Sequence, residues 1–107
     1  GLTAEQQPHL QLWREATQSA HKLALVYSDA QGRSSARTVW PLGSFFWGAV
    51  WTLVAWCEKR ADFRSFRLDR IQSMTGLALT FRLTEGQRLI DFLRQQGVDP
   101  QALAEGR

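Results

Sequence analysis

Residues 37–43 read Arg-Thr-Val-Trp-Pro-Leu-Gly, and residues 45–57 read Phe-Phe-Trp-Gly-Ala-Val-Trp-Thr-Leu-Val-Ala-Trp-Cys. A charged turn follows, and residues 63–71 continue as Phe-Arg-Ser-Phe-Arg-Leu-Asp-Arg-Ile. The block 45–57 is dense in aromatic and β-branched residues, the types that suit a pleated, half-buried surface. Trp51, Leu53 and Ala55 fall on one side of an extended chain, and Val50, Thr52, Val54 and Trp56 on the other, so both faces read as buried. At 13 residues with Gly48 inside it, this block is shorter than the ~20 residues of a membrane-spanning helix. Beside it stands a ladder of arginines, Arg60, Arg64, Arg67 and Arg70.

Strand patterning extends outward from this block. Leu23, Leu25 and Tyr27 alternate with Ala24, Val26 and Ser28, and Asp29-Ala30-Gln31-Gly32 is turn chemistry. A second strand is expected from Arg33 to Trp40, interrupted by Pro41 and Gly43 as at a bend or sheet edge. Further strands are expected over 44–47, 49–57 and 63–68, with a bend at 69–71 and a last strand over 77–83. Leu10, Trp13, Ala16 or Thr17, and Ala20 form a helical stripe. Thr3 and Gln6 have capping-box spacing, but Pro8 places the regular helix at about 7–20. Thr84-Glu85-Gly86-Gln87, followed by Leu89, Ile90 and Leu93, predicts a second helix over 85–96, stopped by Gly97. Residues 98–107 have little to order them. The 107 residues thus describe a single, mainly β domain: a β core over 21–83, a small and strongly bent antiparallel sheet or barrel, flanked by an N-terminal and a C-terminal helix.

Charge is unevenly spread. Net charge is +3, but residues 31–70 alone carry seven basic and three acidic groups. Excess positive charge within the aromatic-rich middle suits an anionic partner, nucleic acid or a phosphorylated small molecule; a solvated basic face with no partner is the plain alternative. A single cysteine, Cys57, excludes an intrachain disulfide and reads as a buried thiol in a reducing, cytoplasmic setting. Neither His9 nor His21 has a companion at metal-ligand spacing, so no metal and no cofactor is expected. No nucleophile, base and orienting acid stand together, and the chain is not expected to be an enzyme.

Four pieces in order carry a resemblance. They are Val26-Tyr27-Ser28-Asp29, residues 35–43 (Ser-Ala-Arg-Thr-Val-Trp-Pro-Leu-Gly), residues 51–57 (Trp-Thr-Leu-Val-Ala-Trp-Cys) and residues 63–71. Together they resemble the WYL domain of bacterial helix-turn-helix transcriptional regulators. Thr52 stands where the family's eponymous tyrosine would be. The resemblance implies a Sm-like or SH3-like barrel of about five strands. It also implies a ligand-sensing role, with single-stranded nucleic acid or a nucleotide as the anion, an attached helix-turn-helix DNA-binding domain outside this chain, and a homodimeric full protein.

The candidate ligand-binding residues are Tyr27, Ser35, Arg37, Arg64, Arg67 and Arg70. Tyr27 offers a ring to stack on a base and a hydroxyl. Ser35 and Arg37, two apart on one strand face, offer a hydroxyl and a guanidinium fork to one anion. A bend at Asp69 would bring Arg67 and Arg70 together; equally, Asp69 would pair with one of them and make a structural corner. The competing expectation is a protein–protein interaction or dimerisation module with no anion ligand.

Overall fold

The computed structural model describes residues 1–99 and 101. Helix α1 (Gln6–Ser19) leads into five strands: β1 (His21–Ser28), β2 (Ser34–Trp47), β3 (Val50–Cys57), β4 (Asp62–Arg67) and β5 (Ile71–Thr80). A single 3-10 turn, Leu68–Arg70, joins β4 to β5, and the short helix α2 (Leu89–Gln95) follows. Thr3 and Gln6 do form the reciprocal box: Gln6 N–H donates to Thr3 Oγ1 at 3.1 Å and Thr3 N–H to Gln6 Oε1 at 3.2 Å. The helix then begins two residues before Pro8, which sits in its first turn where no N–H is needed. Thr84 and Gln87 close only an isolated turn, with Thr84 N–H donating to Gln87 Oε1 at 3.0 Å. The helix starts later than the expected 85, where Arg88 N–H donates to Asp91 Oδ2 at 3.0 Å. Val98 is not loose tail: it packs on the core beside α2, and its N–H caps Leu93 O at 2.9 Å. The remaining tail, residue 100 and residues 102–107, lies outside the described residues.

All strands pair antiparallel in the order β4-β3-β2-β1-β5. The sheet is open: β4 and β5 are its edges, and no ladder joins them among the described residues. Instead of a break at Pro41 and Gly43, β2 is one strand carrying a bulge. Pro41 pairs with Ala55 and Gly43 with Val54, so Leu42 is the extra residue. That insertion resolves the proline, which lacks a ladder donor in a central strand. It also switches the parity of side chains. Val39 and Pro41 point to one face, whereas beyond the bulge Ser44 and Phe46 do, as partners of Leu53 and Trp51.

Each face packs under one helix. On the first, α1 lays Leu10, Trp13 and Ala16 against Leu23, Leu25, Val39, Leu53, Ala55 and Phe66. Trp13 is fully buried, and its Nε1–H donates to Gly43 O at 2.9 Å. On the second face, Leu42, Val54 and Phe63 pack with Phe92 and Leu93 of α2. The β2–β3 hairpin closes on Gly48 and Ala49, both at positive φ (60° and 69°), the two-residue geometry whose twist matches paired strands.

Candidate anion-binding site on the first face of the sheet

Register places four of the six candidate residues on one face, and the bend of the sheet sets Arg64 over Tyr27. Tyr27 pairs with Ser35 and Leu25 with Arg37, and across β3 and β4, Ala55 pairs with Arg64. Pro41, two residues along the same side of β2 as Val39 and Arg37, pairs with Ala55. Partners opposite each other in a ladder share a face, so Tyr27, Ser35, Arg37 and Arg64 all project to the first face. Helix α1 covers the opposite end of that face, around Leu23 and Leu53.

The chemistry at this end is cationic and uncompensated. Arg64 lies over two rings, 5.7 Å from the Tyr27 centroid and 5.1 Å from that of Phe66. Its Nη1 is shut off from solvent and has no hydrogen-bond partner. Burial, and then the charges of Arg37 and Arg60, push this guanidinium below its ordinary value; it stays protonated at neutrality. Arg37 Nε–H donates to Ser35 Oγ at 3.4 Å, a long bond that leaves the rest of its fork unassigned. None of the ion pairs among the described residues involves Arg37 or Arg64; they join Lys22 to Glu58, Arg33 to Asp29 and Arg67 to Asp69.

The other candidates have different positions. Tyr27 is only 4% exposed, packs edge-on to Phe66, and its hydroxyl accepts the Arg67 N–H at 3.0 Å. It is a floor under Arg64 rather than an open stacking surface. Arg67 points to the second face, opposite Thr52, and holds Asp69 through two bonds, of 3.0 and 2.7 Å. That fork raises the Arg67 pKa and holds the Asp69 carboxyl below its usual range. Asp69 thus makes the structural corner. Arg70 is half-buried in the 3-10 turn and makes no ion pair among the described residues. Arg60, exposed in the β3–β4 turn, adds a further positive charge felt at Arg64; the sequence reading set it in the arginine ladder but not among the candidate ligand residues. Thr52 lies on the second face, away from Arg64.

A separate cavity of about 700 Å³ lies at the hairpin end, lined by Leu2, Phe46, Val50, Trp51 and Leu68, with Arg67 and Asp69 at its rim. Its lining is mostly apolar, with Thr3 and Gln6 among it, and its arginine is already paired, so it lacks the free positive charge found around Arg64. Phe46, in its lining, is 59% exposed, and the neighbouring Trp47 is 51% exposed. Among the described residues no cluster of His, Cys, Asp and Glu has the make-up to hold a metal ion. No helix among them is long and apolar enough to cross a membrane.

Comparison with known families matches the WYL domain model to residues 8–75, well over half of the chain. The chain belongs to the WYL domain family. The matched span takes in α1 and the strands through the first half of β5, and so contains Tyr27, Ser35, Arg37 and Arg64 together. Among solved structures, this WYL domain is similar to the proteasome accessory factor B/C (PafBC) of Arthrobacter aurescens, with a TM-score of 0.71 and 25% identity over 80% of this chain. The domain spans only 13% of that protein's chain. No curated protein matches it in sequence.

Proposed function

We propose that this WYL domain is the ligand-sensing part of a bacterial transcriptional regulator, and that it binds an anion, single-stranded nucleic acid or a nucleotide, at Arg37 and Arg64. One observation carries the reading: two arginines share a face with no acid to neutralise them, and one has a buried, unpartnered nitrogen. A buried cation left unpaired is costly, and an arriving anion converts that cost into affinity. Membership of the family supports the regulatory role. Ligand binding would alter an attached helix-turn-helix domain only if the two arrangements of the protein bind the anion with different affinity. Tyr27 and Ser35 shape the site, and Arg60 adds long-range attraction. Arg67 holds the neighbouring corner through Asp69. The closing of the sheet into a Sm-like barrel belongs to this reading too, supported by the Tyr27–Arg67 bond that links β1 to β4 across the open side. The domain senses and carries out no chemistry of its own, a view that rests on the lack of a base and nucleophile beside the arginines.

Titration of labelled single-stranded DNA and RNA into the chain, followed by anisotropy across a salt series, tests this. Affinity that falls steeply as salt rises is expected, because each neutralised phosphate releases counterions. The second reading, a homodimerisation or protein-interaction module, draws on the exposed Phe46 and Trp47 at the hairpin tip. It requires association that is insensitive to salt and no oligonucleotide binding.

A further inference from the structure

We infer that the group recognised at Arg64 is a phosphate monoester, the end of a strand or a free nucleotide, rather than a phosphodiester inside a chain. This rests on the anion-binding reading above and specifies its ligand.

Three donors converge around the Tyr27 ring. Arg64 lies above it, with Nη1 buried and unpartnered. Arg37 has committed Nε–H to Ser35 and keeps its two terminal nitrogens. Ser35 accepts from Arg37 through its oxygen, so its own O–H is free to point to a ligand. Among the described residues, no acidic side chain makes an ion pair with Arg37 or Arg64. Such a site asks for three acceptor oxygens and more than one negative charge. A monoester provides both, with a charge near −2 at neutral pH. An internal diester has only two unesterified oxygens and one charge, and its chain leaves in both directions. The Arg60 and Arg37 charges that already press on Arg64 would be relieved best by a dianion.

The test uses one short single-stranded DNA, labelled at its 3′ end, with either a phosphate or a hydroxyl at the 5′ end. The phosphorylated strand is expected to bind about tenfold tighter or more. Arg64→Lys keeps the charge but loses the fork, and should bring that ratio towards one. Arg94→Ala, on α2 under the other face, should keep the ratio. Adenosine monophosphate and adenosine as competitors separate the sources. Strong displacement by the monophosphate assigns a free nucleotide, and weak displacement with the ratio intact assigns a strand end. Equal affinity of the two strands, a ratio that survives Arg64→Lys, or equal displacement by adenosine would overturn the inference while leaving anion binding standing. Failure of every oligonucleotide and nucleotide to bind would overturn the anion-sensing reading itself, and this inference with it.

Discussion

The Tyr27 hydroxyl accepts the Arg67 backbone N–H at 3.0 Å, joining β1 to the end of β4, strands that are not neighbours in the sheet. A side chain here does what a ladder does elsewhere: it satisfies a backbone donor and holds the edge strand β4 near β1 in a bent sheet. The same ring carries Arg64 on its face, so fold and site share one residue.

Tyr27→Phe therefore leaves the Arg67 N–H without its partner while keeping the ring. A loss of about 1–2 kcal/mol is expected, read from urea unfolding with an unchanged slope. A loss near zero would mean that water replaces the hydroxyl freely.

Arg64→Met should have opposite effects on two measurements. Removing an unpartnered cation that two other arginines repel leaves stability unchanged or raises it. The same change should weaken oligonucleotide binding about tenfold. A structural arginine would instead lose stability when replaced.

Trp13→Phe opens a gap beneath α1 and leaves Gly43 O without its indole donor. The expected cost is about 2 kcal/mol by urea unfolding. No measurable loss would show that α1 is not anchored at the bulge.

Acid should destabilise the domain through three carboxylates. Hydrogen bonds from Lys22 and then Trp40 hold Glu58 below its ordinary 4.5. The bond from Arg67 holds Asp69, and that from the Arg33 backbone N–H holds Asp29, below 3.8. Each folded-state value is depressed, so the stabilisation is complete above those ordinary values and is lost as pH falls through the lower folded ones. Melting temperatures should be flat near neutrality and decline below about pH 4.5. Glu58→Gln should make the decline shallower; an unchanged profile would contradict the Lys22–Trp40 contribution.

Much of the mainly β fold was legible because alternation is a local signal. Leu23, Leu25 and Tyr27 show it directly, and the paired partners of Trp51, Leu53 and Ala55 lie on the face that alternation assigns. The continuity of β2 was not legible. Pro41 and Gly43 carry the local marks of a break, and only pairing with β3 turns them into a bulge. The last strand, expected over 77–83, is Ile71–Thr80: it was begun late because Gly76 looks like punctuation, yet Gly76 pairs with Leu23 under Leu12 of α1, and the strand ends three residues sooner than expected. The start of α2 was misplaced because two capping sequences, Thr84–Gln87 and Arg88–Asp91, follow one another and the helix uses the second. At the site, the pairing of Ser35 with Arg37 was visible as a spacing of two. Arg64 stood out less in sequence, since what distinguishes it, two rings beneath and no acid nearby, arises from strands far apart in the chain.

The most direct test compares single-stranded DNA binding by the wild-type chain, Arg37→Ala, Arg64→Ala and Arg94→Ala, by anisotropy at matched low salt. All three variants remove one positive charge. Binding that drops about tenfold in the first two and holds in Arg94→Ala is the predicted result, locating the anion on the Tyr27 face. An equal, small drop in all three would mean that only overall charge is felt, and would contradict a site at Arg37 and Arg64.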